Sequence, residues 1–161
     1  MSGSGHKEAD GAIERRPLAD LQPSQLLVSN QKLRGVLDWW DADEPDPEPL
    51  PYLHPVEDLE LDPETGGRNR TGESSPAVEP DRVVLADGHT RALAAVLSGA
   101  ESVPVVRDPD REELSMGIYR ECLDWCAAEG VRQPRDLVGR VVSDATFRTE
   151  WVDRCQAVAE D

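Results

Sequence analysis

Five consecutive residues, Asp87-Gly88-His89-Thr90-Arg91, set a carboxylate, an imidazole, a hydroxyl and a guanidinium around one glycine. Arg91 can grip phosphate oxygens through two parallel N–H bonds, or it can make a surface ion pair. His89 can donate to a phosphate or shuttle a proton, or it can simply hydrogen-bond locally at the surface. Thr90 adds a hydroxyl. Asp87 has two roles open to it: fixing the turn by accepting backbone N–H bonds, or positioning a metal or a substrate hydroxyl. Gly88 is a backbone requirement, since a side chain there would block the close approach of a ligand.

The flanking residues say how such a group would be held. Val83-Val84-Leu85 is a short apolar run of the kind that forms a buried strand, and Asp87-Gly88 breaks it. From His89, the spacing of Leu93, Val96 and Leu97 predicts a helix, with Gly99 as its C-terminal stop. Val103-Pro104-Val105-Val106 reads as a second strand. A helix that opens directly after a strand and a glycine turn presents unpaired N–H groups, and these attract anions. The local chemistry is that of an anion pocket, with phosphate as its natural occupant.

Strand, Asp87-Gly88-His89-Thr90-Arg91, helix, Gly99 and then Ser102-Val103-Pro104-Val105 resembles the core of the ParB/sulfiredoxin superfamily. The resemblance extends in layout from Leu18 to Val106, including an opening Leu21-Gln22-Pro23-Ser24, and is close from Val83 to Val106. It implies a small mixed sheet with helices, and nucleotide phosphates held by Gly88, His89, Thr90 and Arg91. It also separates the activities of the superfamily. His89 stands where sulfiredoxins carry their catalytic cysteine, so sulfinic-acid reduction is not expected. Serine kinases of the superfamily place an acidic base in the early Leu-x-Pro region; here that place holds Gln25, which cannot accept a proton, with Glu14 and Asp20 nearby only in sequence. Partition proteins need a basic reading helix and an arginine-rich phosphate motif. The C-terminal arginines are instead interspersed with acids, and one arginine remains in the motif.

Composition narrows the setting. Among 161 residues there are 33 acidic and 17 basic ones, a net charge of −16, and only two of the cations, Lys7 and Lys32, are lysines. So large an acidic excess predicts a halophilic protein that is soluble in concentrated salt; the competing account is solubility at low salt with strong self-repulsion. Either way the bulk field repels nucleic acid and anionic membranes. Cys122, Cys126 and Cys155 form no secreted framework, and the polar start lacks a signal-type apolar stretch, so a cytoplasmic protein with reduced thiols is expected. Cys122 and Cys126 share a helix face, but no third ligand stands at metal spacing, so no metal site is expected from them.

In chain order, 1–15 reads as a disordered tail, 16–108 as the ParB/sulfiredoxin-like domain and 109–161 as a helical C-terminal subdomain. Ser29 should cap a helix to about Trp40, with Leu33, Val36, Leu37 and Trp40 on its inner face. The acidic, proline-rich 41–49 is a loop, 50–61 holds one or two short strands, and 62–80 is a polar insertion whose Arg68 and Arg70 are surface cations or anion contacts. Asp110-Arg111-Glu112-Glu113 resembles a capping box opening a helix that Gly130 ends. A short helix follows at Pro134–Leu137. Ser143 caps a last helix that docks Phe147, Trp151 and Cys155.

The resulting expectation is an α/β (α+β) chain whose Gly88–Arg91 segment binds a nucleotide or a phosphorylated small molecule, with a nucleoside triphosphate and Mg²⁺ as the implied cofactor. Asp87 and His89 are the candidate catalytic groups for hydrolysis or phosphotransfer. The alternatives are a free-serine-like kinase and an interaction module with a vestigial pocket that uses Trp39 or the long loop.

Overall fold

A buried three-residue strand, Val83–Leu85, leads into the site, and the computed structural model builds a mixed α/β fold around it. The described residues are 12–39, 48–61, 67–68, 75–76, 78 and 81–160. In chain order they form β1 (Glu14–Pro17), β2 (Leu21–Gln22), β3 (Val28–Ser29), α1 (Asn30–Trp39), β4 (Leu50–Leu53), β5 (Gly67–Arg68), β6 (Ser75–Pro76), β7 (Val83–Leu85), α2 (His89–Leu97) and β8 (Ser102–Arg107). Then come α3 (Met116–Glu129), a 3₁₀ segment at Pro134–Arg140, β9 (Val141–Val142), α4 (Asp144–Phe147), a π turn at Arg148–Val152 and α5 (Asp153–Glu160).

The main sheet has the order β1-β8-β4-β7-β2. β7 pairs in parallel with β2 and antiparallel with β4; β4 pairs in parallel with β8, and β8 antiparallel with β1. Two small ladders, β3–β9 and β5–β6, stand apart from it. The β3–β9 ladder joins the segment before α1 to the C-terminal helices.

Helix α2 lies between two apolar clusters. Ala92 and Ala95 pack with Leu21, Leu50, Val83, Leu85 and Val105 of the sheet. Leu93 and Ala94 pack with Leu33, Cys122, Cys126, Leu137, Phe147 and Trp151 from the helical side. A buried leucine contributes about 1.5–3 kcal/mol relative to exposure, so this double burial fixes α2, and with it the residues at its start. The C-terminal helices are therefore one wall of the site region.

Several boundaries depart from the sequence expectation. Glu14–Pro17 is an edge strand rather than tail, held to β8 partly by Arg15, which donates to Ser102 Oγ at 3.2 Å and to the Ser102 carbonyl at 3.0 Å. Between Leu50 and Leu61 one strand forms, within the one or two expected, and turns with His54 Nδ1 and Asp58 as acceptors follow it. Asp110 opens only a 3₁₀ turn; α3 starts at Met116, where Ser115 accepts from the Ile118 N–H. Leu33 of α1 is buried, but Leu37 is 44% exposed, so the inner face of α1 is rotated from the expected one. Ser29 does accept from the Lys32 N–H, at 3.4 Å, and Ser143 caps α4 through the Thr146 N–H at 3.1 Å. Trp40, residues 41–47, Arg70 and most of the 62–80 insertion lie outside the described residues, as does 1–11 of the expected tail.

Candidate functional site

The turn from β7 to α2 is fastened at every residue. The Ser24 hydroxyl donates to the Leu85 carbonyl at 2.8 Å, and the Tyr119 hydroxyl donates to the Ala86 carbonyl at 2.9 Å. The Ala86 N–H donates to the Pro51 carbonyl at 3.0 Å. Asp87 Oδ1 accepts from the Gly88 N–H at 2.7 Å, so Asp87 fixes the turn, as one of its two readings required. Gly88 sits at φ 79°, in the left-handed region, and is the N-cap of α2 with no side-chain cap on the helix. A Cβ at Gly88 would lie 2.8 Å from Leu50 Cδ2 and 3.0 Å from Arg91 Nη2. The glycine is thus required by the protein's own packing as well as by its φ.

Arg91 folds back over Gly88. Its side chain is only 17% exposed, and its Nη1 is buried without a hydrogen-bond partner among the described residues. The carboxylate facing it, Glu48 Oε1, stands 3.9 Å away on a side chain that is 79% exposed. A buried guanidinium N–H left without an acceptor is costly, and an anion in the adjoining cavity would satisfy it.

His89 behaves differently from any surface reading. It is 4% exposed, and its Nε2 accepts the Ser24 N–H at 2.9 Å. With Nε2 occupied as an acceptor, the neutral ring carries its proton on Nδ1, which is buried and has no hydrogen-bond partner among the described residues. Burial pushes the imidazole pKa down from 6.5 to about 4, against an opposing pull from Asp87. His89 is consequently a neutral donor near pH 7, ill suited to take a proton there.

These residues line a cavity of about 470 Å³. Asp87, Gly88, His89, Thr90 and Arg91 line it together with Lys32, Val36 and Trp39 of α1. Trp39 is 61% exposed, and Lys32 Nζ lies 5.0 Å from the centroid of the Phe147 ring, which also lines the cavity. The structure therefore brings together all five residues singled out in the sequence and adds Lys32, Trp39 and Gln25. Lys32, Val36 and Trp39 follow i, i+4, i+7 spacing, a stripe that was readable along α1. Glu14 and Asp20 do not reach the site: Glu14 pairs with Arg16 on the edge strand, and Asp20 lines a separate cavity with Arg82 and Arg132.

Among the described residues, no group of three or more His, Cys, Asp or Glu could hold a metal ion, and no helix is long and apolar enough to cross a membrane. No family model matches the chain, and no curated protein matches it. Among solved structures it is similar to protein Atu1540 from Agrobacterium tumefaciens, with 17% identity and a TM-score of 0.42. That match covers 85% of this chain and 64% of the other.

Proposed function

We propose that this chain binds a nucleoside polyphosphate, with its phosphates at the start of α2 and its base against Trp39. The observation that carries the reading is the Nη1 of Arg91, which has no hydrogen-bond partner among the described residues and is buried in the wall of a cavity that the uncapped helix start also faces. Free first-turn amides, a guanidinium and the Lys32 ammonium supply donors and positive charge for phosphate oxygens. At about 470 Å³ the cavity falls within the common range for small-molecule sites, and an exposed indole at its edge offers a stacking surface for a base. The likeness of Asp87–Arg91 to the phosphate loop of the ParB/sulfiredoxin superfamily supports the same reading. Mg²⁺ would enter as the counter-ion of the triphosphate, with Asp87 as the carboxylate at hand.

Binding is favoured over phosphotransfer. His89 is a buried donor whose acceptor nitrogen is already engaged, and Asp87 is the one carboxylate among the described residues of the cavity wall. His89 is therefore no base for an acceptor hydroxyl near neutrality, and Asp87 Oδ1 is engaged by the Gly88 N–H. Calorimetric titration with ATP, CTP, GTP and ADP, in molar KCl with Mg²⁺, tests the proposal. One-site binding of at least one triphosphate is expected. The absence of heat for every nucleotide would remove the proposal and leave an interaction module with a vestigial pocket.

A further inference from the structure

A second cavity, of about 270 Å³, lies beyond His89 and shares only Gln25 and His89 with the first. Its wall carries two thiols from different helices, Cys122 of α3 and Cys155 of α5. No cysteine of the chain is in a disulfide. The two helices are pinned at this point: Trp125 and Trp151 meet edge to face at 5.8 Å, and the Arg154 guanidinium lies 3.8 Å over Trp125. Cys122 is 3% exposed and lines this cavity together with Cys155, which is half-buried. The third thiol, Cys126, is fully buried and engaged elsewhere, donating to the Gln25 carbonyl at 3.8 Å.

We propose that Cys122 and Cys155 form a peroxide-responsive dithiol, in which Cys155 reacts first and Cys122 closes a disulfide joining α3 to α5 beside the second cavity. This inference is independent of the nucleotide reading. The division of labour follows from the surroundings. Cys155 is the more accessible thiol, and the neighbouring Cys122 thiol, aided by Arg154, holds its pKa below that of an ordinary thiol despite partial burial. The same pairing, together with burial, holds the Cys122 thiol far above the ordinary range. In the first step the Cys155 thiolate attacks hydrogen peroxide. An S–O bond forms, the O–O bond breaks, and hydroxide leaves to be protonated to water. In the second step the Cys122 sulfur attacks the sulfenic acid and loses its proton. The S–S bond forms, the S–O bond breaks, and a second water leaves. Two thiols lose two electrons, and the peroxide is reduced to two waters.

The full-length protein, treated with a few equivalents of hydrogen peroxide and then alkylated, would be digested with trypsin and analysed by mass spectrometry without reduction. The expected product is peptide 121–132 joined to peptide 155–161, two hydrogens lighter than the reduced pair, with Cys126 alkylated. Cys126→Ser should form the same link. Cys122→Ser should leave Cys155 as a sulfenic or sulfinic acid, and Cys155→Ser should slow peroxide consumption at least about tenfold, in line with loss of the reactive thiol. Circular dichroism identifies the folded variants to be compared. A link through Cys126, three thiols still alkylated after peroxide, or unchanged consumption by Cys155→Ser would each overturn the proposal.

Discussion

Gly88→Ala is the substitution for which the structure gives the clearest magnitude. The residue sits at φ 79°, and the left-handed region costs a side-chain-bearing residue about 1–2 kcal/mol. Its new Cβ would then lie 2.8 Å from Leu50 Cδ2, and Leu50 is a fully buried β4 residue packed in the sheet cluster. Overpacking of this kind typically costs about 1–3 kcal/mol. The Arg91 guanidinium, 3.0 Å away, is a flexible end that can swing aside, and in doing so it would leave the cavity wall. The expected destabilisation is about 2–5 kcal/mol, or a fall in Tm of roughly 4–20 °C for a chain of this size. Gly130→Ala is the matched control: its φ is 76°, and nothing lies within 4 Å of its Cβ position, so only the backbone cost of about 1–2 kcal/mol applies. Urea and thermal unfolding followed by circular dichroism, in molar KCl, measure both. If Gly88→Ala proved no less stable than Gly130→Ala, the packing of Leu50 and Arg91 around the glycine would be refuted.

Two further outcomes follow from the same geometry. Because burial lowers the His89 pKa to about 4 from 6.5, the unfolded chain binds a proton that the folded one refuses between those values. Stability should therefore fall as pH drops from 6.5 towards 4, with His89 accounting for about 3 kcal/mol over that window; in His89→Gln the slope of unfolding free energy against pH should be correspondingly shallower. Trp39→Ala should weaken binding of a nucleoside triphosphate by roughly tenfold, from loss of base stacking, and leave inorganic triphosphate binding within about twofold. Competition calorimetry distinguishes the two ligands, and an equal loss for both would place the base elsewhere.

What could be read from the chain was local. Val83–Leu85, the Gly88 turn, the helix from His89, the Gly130 stop and the Ser143 cap each depend on neighbours within a few residues, and each stands where expected. The strand at Glu14–Pro17 was hidden because it is a charged edge strand, whose place is set by pairing with Ser102–Val105, far along the chain. The burial of His89 was equally unreadable, since it depends on the backbone N–H of Ser24, 65 positions earlier. On α1 the misjudgement was one of phase. Trp40 and Leu37 drew the apolar stripe to one side, whereas the cavity takes Lys32, Val36 and Trp39. The Cys122–Cys155 pair spans helices brought together by the π turn, the two tryptophans and Arg154.

The central claim is that Arg91, whose buried Nη1 has no hydrogen-bond partner among the described residues, is there to hold a phosphate at the start of α2. Its most direct test compares triphosphate binding by the wild-type chain and by Arg91→Ala, both shown to be folded, in calorimetry with Mg²⁺ and molar KCl. A charge-assisted hydrogen bond to a phosphate contributes about 1.5–3 kcal/mol, so the dissociation constant should rise roughly 10–150-fold. Affinity unchanged within about twofold would contradict the account.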